Sequence, residues 1–389
     1  MNNTSSEIHF RKFLLPEIVF GLDSRFLASE YAKVIVAKKV LIVTDEGIKG
    51  AGWVEDIKET LNNAKICFVE YSNVTPNPRT DEIVEGATFF AEEKCDSLLA
   101  IGGGSVIDCA KGIGILSRNG GIIQDYEGTN RVVNPLPPLI CVPTTAGTAA
   151  DISQFAVYME LEKRRKFCVI SKYLIPRVSL IDPVTTTTMP PRLTAETGLD
   201  ALSHAIEAYV STGRSPITDI HAREAVSIIC KTLPLAVETG DNLEARSKMM
   251  LGSLHAGIAF SNAGLGAIHA ISHVLGGFFD IPHGECNAIL LEHVVAYNFD
   301  AAPHRYEQIG KFMGIDLEGM YFPDKKRTLI EALSKLRSRL GIVQKLRDLG
   351  MKKSEIPDLA DAALKDPCMI TNPKRLMHSD VEAIYERAL

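Results

Sequence analysis

The sequence predicts an α/β domain with a parallel sheet, followed by an all-α domain. Short apolar runs alternate with helical patterns in the first half of the chain, whereas the second half contains helical patterns throughout. A segment rich in threonine and proline, PVTTTTMPPR, separates the two regions. A chain of 389 residues is long enough for two hydrophobic cores. We therefore expect one domain at residues 1–184 and a second at residues 185–389.

The strands of the first domain are predicted from brief apolar runs, most of which contain β-branched residues. Runs of this kind are typical of parallel strands that helices cover on both faces. Between the second and third runs, Ile83, Ala87, Phe90 and Ala91 recur at helical spacing. The result is a doubly wound arrangement. The predicted strands are 40–44, 66–70, 97–101, 138–142 and 178–182.

The second domain is predicted to be all-α, because apolar residues there recur with helical periodicity and no comparable β-rich runs follow Asp182. The predicted helices are 194–211, 217–232, 243–260, 265–277, 287–298, 327–348 and 379–388.

Composition and charge restrict the class of protein. A hydrophobic content of 46% with 23% charged residues indicates a folded chain, and no apolar run is long enough to span a membrane. A net charge of −6 favours neither a nucleic-acid partner nor an anionic membrane. The polar start MNNTSSEIHFRK shows no secretory signal. Eight dispersed cysteines without a CxxC motif indicate reduced thiols, so we expect a cytoplasmic protein.

A glycine-rich loop, Gly102-Gly103-Gly104-Ser105, follows the third predicted strand and begins a helical pattern. Successive glycines let backbone N–H groups approach a phosphate, and a helix N-terminus favours negative charge. The loop is therefore interpreted as a diphosphate site. The alternative is a tight strand-to-helix turn without a ligand.

Two further segments at strand ends are candidates for cofactor contacts. Asp45 follows the first predicted strand, where a carboxylate can accept hydrogen bonds from ribose hydroxyls and favours NAD over NADP. Asp in this position is also a common turn residue. Thr144, Thr145 and Thr148 follow the fourth predicted strand beside Gly147, so their hydroxyls are available to phosphate or ribose oxygens. A threonine-rich turn is the alternative there.

One carboxylate and four imidazoles in the second half suggest a metal site. Asp200 and His204 are four residues apart, as are His269 and His273, so each pair lies on one face of a helix. His283, between Pro282 and Gly284, is expected on a loop that returns toward those faces. Neutral imidazoles with one carboxylate suit a divalent transition metal. Five such groups exceed a four-ligand set by one, which leaves one histidine for proton transfer.

These motifs together resemble the iron-containing (group III) alcohol dehydrogenases, nearest the branch with 1,3-propanediol dehydrogenase and lactaldehyde reductase. The resemblance is carried by GGGSxxDxxK, PTTAGT, GLDALSHAIEAY and HAISHxLGGxxxxPHGxxNAxLLxHV, and it covers almost the whole chain. It implies the dehydroquinate synthase-like fold, in which an α/β domain binds NAD and a helical domain binds the metal. A homo-oligomer, a dimer or larger, is expected from the family.

The resemblance also implies roles for single residues. It implies His273 as a non-ligand histidine near the nicotinamide that carries a proton or orients the substrate. The implied metal ligands are Asp200, His204, His269 and His283. The implied cofactor contacts are Asp45, Asn77, Gly102, Gly103, Gly104, Ser105, Thr144, Thr145, Thr148 and Lys166.

The implied reaction is hydride transfer between NAD and a primary alcohol or short diol, with the substrate oxygen on Fe²⁺. Zn²⁺ or another divalent metal remains open, because the ligand types suit several metals. Two alternatives also remain: an NAD- and metal-dependent lyase of the dehydroquinate synthase type, and a non-catalytic NAD-binding protein. The lyase would need several basic residues in its cleft, and the segments around the predicted ligands lack them.

Overall fold

The first half of the chain is built on a six-stranded sheet in which every neighbouring pair is parallel. We describe residues 12–389 of a computed structural model. The strand order is β1-β9-β6-β4-β2-β3, numbered along the chain. These strands are β1 Glu17–Phe20, β2 Lys39–Val43, β3 Cys67–Tyr71, β4 Ser97–Gly102, β6 Leu139–Pro143 and β9 Val178–Ile181.

Both faces of this sheet are buried, as the apolar runs predict. Alternate residues of β2 pack into different clusters, with Leu41 in one and Val40 in the other. Helices α4 and α5 cover the first face, and α1 and α3 cover the second. The helices of this half are α1 Ala28–Val34, α2 Glu46–Gly50, α3 Trp53–Asn63, α4 Thr80–Glu92 and α5 Gly104–Asn119. The predicted doubly wound arrangement is therefore confirmed.

A second, three-stranded sheet was not predicted from the sequence. Its strands are β5 Gly128–Thr129, β7 Phe155–Glu160 and β8 Arg165–Ile170, in the order β5-β8-β7. Strands β7 and β8 form an antiparallel hairpin. The charged residues of its turn and of β8 interrupt the apolar pattern on which the strand predictions depend. Residues 163–166, a run of lysines and arginines, extend from the hairpin turn into β8.

The second half contains helices and 3-10 turns but no strands among the described residues, as predicted. Three of these helices, α6, α7 and α8, pack against one another within a common hydrophobic core. The helices are α6 Pro191–Val210, α7 Pro216–Glu238, α8 Leu243–Ala263, α9 Ala267–Phe279, α10 His283–Asn298, α11 Pro303–Phe312, α12 Phe322–Arg339, α13 Ile356–Ala363 and α14 His378–Ala388.

Three predicted positions in this half are wrong. His283 is the first residue of α10 and not a loop residue, because Pro282 takes the extended N-cap position before it. The predicted helix 327–348 ends at Arg339, since Gly341 adopts a left-handed φ of 78°. Helix α7 continues to Glu238 and accommodates Pro234 in its interior.

No single helix within residues 12–389 is long and apolar enough to cross a membrane. The bent pair formed by Leu243–Ala263 and Ala267–Phe279, at 99°, meets the criteria of length and composition when taken together. The polar segment 1–11, where no secretory signal was found, lies outside the described residues.

Candidate active site

A cleft separates the carboxyl edge of the large sheet from the helical half, and both halves supply its walls. The α/β half contributes the glycine loop at the start of α5 and the strand β7, whereas the helical half contributes histidines from α6, α9 and α10. The lining residues include Asn77, Gly104, Ser105, Asp108, Thr148, Ala150, Phe155, Val157, Lys166, His204, Phe260, His269, His273 and His283.

Three of the four predicted metal ligands converge in this cleft. The Oδ1 atom of Asp200 lies 3.6 Å from Nε2 of His269 and 3.7 Å from Nε2 of His283. One ligand atom from each residue lies within 4.8 Å of the other two. Because Asp200 and His269 are each 1% exposed, water competes little for these atoms. This spacing allows all three atoms to coordinate one divalent ion.

His204 lies beside this group but outside the set of three. Its Nδ1 atom is 3.8 Å from Oδ2 of Asp200 and is buried, with no hydrogen-bond partner within residues 12–389. The ring is stacked between Phe260 and His269, with a centroid distance of 4.3 Å to each. The predicted four-ligand set is therefore present as three converging residues and one adjacent imidazole.

The electrostatics of the group favour a cation. Burial opposes ionisation of Asp200, yet the surrounding imidazoles, His204 first, outweigh it and hold the pKa of the carboxyl below its ordinary value. Burial also disfavours protonated His269, but Glu207 and Asp200 outweigh it and raise the pKa of His269 to about 9. Burial lowers the pKa of His204 to about 3. The negative charge of Asp200 and Glu207 that holds a proton on His269 also favours a divalent cation, and one carboxylate with imidazole nitrogens suits Fe²⁺ or Zn²⁺ in donor type once the metal displaces that proton.

Glu207 contacts the Nδ1 side of the His269 ring, and this role was not predicted from the sequence. Its Oε2 atom lies 2.6 Å from Nδ1 of His269, and Oε1 accepts the backbone N–H of Ile268 at 2.6 Å. A carboxylate at Nδ1 favours the tautomer that leaves the Nε2 lone pair free for a metal. The signal was available, because Glu207 lies seven residues after Asp200 on the same face of α6.

Asn287 also contacts the ligand atoms, and its role was not predicted. Its Nδ2 atom is 2.6 Å from Oδ1 of Asp200 and 3.1 Å from Nε2 of both His269 and His283. An amide nitrogen carries two hydrogens, so it cannot donate fully to three acceptors. The Oδ1 atom of the same side chain is buried and has no hydrogen-bond partner among the described residues. Asn287 therefore belongs to the immediate surroundings of the ligand group.

His273 occupies a different environment from His269, one turn further along α9. Its Nδ1 atom lies 2.8 Å from Oδ2 of Asp366, and its ring stacks on His283 with centroids 5.2 Å apart. Burial raises the pKa of Asp366, but His273 outweighs it and holds that pKa below its ordinary value. Asp366 lies 93 residues further along the chain, so no local pattern indicated it.

The glycine-rich loop and the threonine segment, both predicted to contact the cofactor, form one surface. An added Cβ at Gly104 would lie 2.6 Å from Oγ1 of Thr148, and one at Gly103 would lie 3.1 Å from Cγ2 of Thr145. Only glycine allows this close approach of the loop to the threonines. The hydroxyl of Thr144 is buried and has no hydrogen-bond partner in the part of the chain that the structure describes. The loop also begins α5, a helix of 16 residues whose N-terminus favours an anion.

The remaining predicted cofactor residues lie in two places. Asp45 stands at the carboxyl end of β2, where its Oδ1 atom accepts the backbone N–H of Ile48 at 3.0 Å and caps α2. Lys166 and Asn77 line the cleft, and Nζ of Lys166 donates to Oδ1 of Asn77 at 2.6 Å. Burial lowers the pKa of Lys166. Thus Asp45 has a capping role, while Asn77 and Lys166 form a polar pair in the cleft.

Comparison with known proteins gives matches along nearly the whole chain. Residues 16–183 match the family described as iron-containing alcohol dehydrogenase, and residues 194–389 match the C-terminal part of the Fe-containing alcohol dehydrogenase family. The 1,3-propanediol dehydrogenase of Citrobacter freundii is 40% identical over 379 residues, covering 97% of this chain and 98% of that protein. The lactaldehyde reductase of Escherichia coli K12 is 40% identical over 353 residues, covering 90% and 92%.

A solved structure agrees with these matches. The crystal structure of a 1,3-propanediol oxidoreductase superposes with a TM-score of 0.95 at 39% identity, covering 98% of this chain and 100% of that one. The similarity therefore extends to the arrangement of both halves around the cleft.

Proposed function

Because the chain belongs to the iron-containing alcohol dehydrogenase family, we propose that it transfers hydride between NAD and a primary alcohol or short diol. NAD and Fe²⁺ are the cofactors of this activity. The observation that carries the proposal is the convergence of Asp200, His269 and His283 in a cleft that also contains the glycine loop. A small alcohol or aldehyde is the substrate class.

We assign the metal to Asp200, His204, His269 and His283. Bound Fe²⁺ is a Lewis acid, and a metal of this kind lowers the pKa of an oxygen that it polarises. Asp200 supplies the negative charge of the site. Glu207 keeps the Nε2 lone pair of His269 directed away from its own carboxylate, toward the shared position. His204 is assigned as the fourth ligand, because its ring stacks on His269 and its Nδ1 atom lies 3.8 Å from Oδ2 of Asp200.

The residues assigned to the cofactor all belong to the α/β half. Gly102, Gly103, Gly104 and Ser105 offer backbone N–H groups at the start of α5, where the helix favours the diphosphate. The side chains of Thr145 and Thr148 lie against Gly103 and Gly104 of the same loop. Thr144, whose backbone N–H donates to the backbone oxygen of Gly102 at 3.0 Å, is assigned to the same phosphate site. Asp45 is assigned to the adenosine ribose. Asn77 and Lys166 are assigned to the nicotinamide half, because they line the cleft with the histidines.

His273 is the proposed catalytic residue for proton transfer. The contact between its Nδ1 and Asp366 favours the tautomer with a proton on Nδ1, which leaves Nε2 free to accept one. Histidine is the side chain that most often transfers protons in enzyme active sites. Asp366 acts through His273 and is a positioning residue.

Assembly, location and domain limits complete the proposal. A homo-oligomer, a dimer or larger, is consistent with β1, which lies at an edge of the large sheet and exposes Phe20 by 39%. A cytoplasmic location is supported by eight cysteines that are all free. We place the domain limits at 1–184 and 185–389, between the end of β9 and the start of α6.

The lyase alternative is less well supported by the cleft. A sugar-acid phosphate would require several cationic side chains around it. Among the described residues that line the cleft, Lys166 is the one lysine or arginine. That side chain is already engaged with Asn77.

The direct test is a metal-controlled activity assay. The protein is purified anaerobically and reloaded with Fe²⁺, and NADH oxidation is followed with a series of short aldehydes, with and without a chelator. Turnover that the chelator abolishes and Fe²⁺ restores is the expected result. If the protein holds a full equivalent of Fe²⁺ and binds NADH but oxidises none with any aldehyde, the dehydrogenase proposal is wrong and a non-catalytic NAD-binding protein is favoured.

A further inference from the structure

Three side chains with different metal-binding groups meet on the Nδ1 side of His273. One candidate ligand atom from each of His273, Asp366 and Cys368 lies within 4.8 Å of the other two. Nδ1 is the imidazole nitrogen on this side, 2.8 Å from Oδ2 of Asp366. His273 and Cys368 are buried, with exposed fractions of 5% and 4%. None of the three residues belongs to the group assigned to Fe²⁺.

A short turn holds two of these ligands in a fixed arrangement. Asp366 is the N-cap of the 3-10 turn Pro367–Thr371, and its Oδ1 atom accepts the backbone N–H of Cys368 at 2.8 Å. The other carboxylate oxygen, Oδ2, faces His273, which lies on α9. Helix α9 packs against the turn. Two ligands on one turn and a third on a packed helix are thus already placed for a single ion.

The types of ligand in this cluster indicate which ion it prefers. The cluster contains a thiol, an imidazole and a carboxylate, whereas the ligands assigned to Fe²⁺ include no sulfur. Thiolate is a soft ligand that favours Zn²⁺ and related ions, and three protein ligands leave a fourth tetrahedral position for water. Burial raises the pKa of the Cys368 thiol, so this group keeps its proton until a bound metal displaces it.

We propose that His273, Asp366 and Cys368 form a second metal site, which binds Zn²⁺ and thereby inhibits the enzyme. Binding releases the thiol proton of Cys368 to solvent. The ion occupies Nδ1 of His273, so the imidazole proton moves to Nε2. In that tautomer Nε2 is a hydrogen-bond donor and no longer accepts the proton that alcohol oxidation releases. The metal site stands without the proposed function, whereas its inhibitory effect rests on that function.

Cd²⁺ is the probe for this site, because it prefers the same soft ligands and its bond to thiolate absorbs in the ultraviolet. The Fe²⁺-loaded protein is titrated anaerobically with Cd²⁺, while absorbance and released iron are measured. Because the ligands assigned to iron include no sulfur, a sulfur-to-cadmium band is specific to the second site. We expect a band that saturates at one equivalent of Cd²⁺ per chain without release of iron. The absence of a band, or release of iron in proportion to the Cd²⁺ bound, would overturn the inference.

Cys368→Ser tests the assignment of the thiol. The variant should lose the band and bind Cd²⁺ more weakly by at least the factor of about 10–100 that loss of an outer partner of a metal ligand costs. Cys286→Ser is the matched control and should keep the band, because Cys286 is also buried and lies three residues after His283. A band that survives in Cys368→Ser, or disappears in Cys286→Ser instead, contradicts the assignment.

Asp366→Asn provides a second variant if Cys368→Ser does not fold, which thermal unfolding of each protein shows. It keeps the thiol but removes the negative charge of the carboxylate. The band should therefore require at least about tenfold more Cd²⁺ to form. If Asp366→Asn binds Cd²⁺ as tightly as the wild type, the three residues do not form one site and the inference is wrong.

Inhibition is measured separately, by adding Zn²⁺ to the Fe²⁺-loaded enzyme and determining kcat and bound iron on the same samples. Zn²⁺ should lower kcat at constant iron content, and Cys368→Ser should require at least about tenfold more Zn²⁺ for the same fractional loss. Equal sensitivity of the two proteins would overturn the inhibitory role. If the wild type shows the cadmium band but has no dehydrogenase activity even without Zn²⁺, the proposed function fails and the second metal site stands.

Discussion

His269 and His273 are one turn apart on α9, yet their surroundings prepare them for different chemistry. Glu207 lies behind Nδ1 of His269, whose Nε2 atom shares a position with Asp200 and His283. Asp366 lies behind Nδ1 of His273, which is outside that set. The same residue type in the same helix is therefore proposed as a metal ligand in one case and a proton carrier in the other.

Alanine at these two positions should separate the two roles. His269→Ala should lose the metal and the activity together, because it removes one of three converging donors. His273→Ala should keep the metal and lose turnover by about 100-fold or more, the usual contribution of a positioned acid–base group. Bound iron and kcat are measured on the same preparations. Equal loss of iron from both variants would refute this division of roles.

The carboxylates of Glu207 and Asp366, which contact the two histidines, provide a second test of the same division of roles. Glu207→Gln should weaken metal affinity by about 10–100-fold, since it removes the charge that orients and polarises His269. Asp366→Asn should leave metal affinity near that of the wild type and lower kcat. Metal affinity is determined by competition with a chromophoric chelator. Weaker metal binding in Asp366→Asn than in Glu207→Gln would contradict the proposed pairing.

At the residue scale, local spacing predicted what lies on one helix. The i, i+4 spacing indicated two pairs on helix faces, Asp200 with His204 and His269 with His273. Glu207 lies on the same face of α6 as the first pair. Asp366 meets His273 across 93 residues, and only tertiary packing brings such groups together. A sequence without local periodicity between two positions carries no signal of their contact.

At the scale of elements, α9 matters because it packs closely on the hairpin that carries Lys166. A Cβ added at Gly277 would lie 2.8 Å from both Cα of Arg165 and the backbone nitrogen of Lys166. At Gly276 it would lie 2.5 Å from Nζ of Lys166. The glycines thus set the distance between the histidine helix and strand β8.

Gly277→Ala should therefore disturb stability and activity together. The added methyl meets backbone atoms, which cannot rotate away, so α9 must shift from β8 at a cost of about 1–3 kcal/mol in unfolding free energy. Gly50→Ala, in α2 with no atom within 4 Å of the added Cβ, is the control and should be neutral or slightly stabilising. Chemical denaturation and kcat are measured for both. An unaltered Gly277→Ala protein would show that this contact is not tight.

Strands with mostly apolar residues were more predictable than the hairpin and the start of α10. The five strands predicted in the first half are present within one residue at each end, because each corresponds to a short run of mostly apolar residues. The hairpin β7–β8 was missed, since the charged residues 162–166 break its pattern. His283 was expected on a loop because Pro282 and Gly284 flank it, but proline before a helix is also a start signal.

At the scale of the whole molecule, the cleft depends on both halves, so ligands should stabilise both. NAD⁺ at about 100 times its Kd should add about 2.7 kcal/mol to the unfolding free energy. Scanning calorimetry of the wild type should show separate increases in Tm from metal and from NAD⁺. His269→Ala should lose the increase from metal and keep that from NAD⁺. If His269→Ala loses both increases in Tm, NAD⁺ binding depends on the metal site, which would contradict this expectation.

The fold class was predictable from the sequence, but the chemistry of the cleft was only partly so. Strand–helix alternation and the change to helices after residue 182 indicated both halves. The cleft wall, by contrast, brings together Asn77, Asp108, Phe155, Lys166 and Phe260 from distant segments. Substrate size depends on this wall, and spacing along the chain does not encode its shape.

The most direct measurement follows the hydride itself. The Fe²⁺-loaded protein is incubated with a short aldehyde and with NADH in which both hydrogens at C4 are deuterium, and the alcohol is analysed by mass spectrometry. Hydride transfer in the cleft predicts one deuterium at the carbinol carbon, lost on chelation and in His269→Ala. A metal-replete, NADH-binding protein that gives no deuterated alcohol, or gives it equally after chelation, would contradict a metal-dependent dehydrogenase.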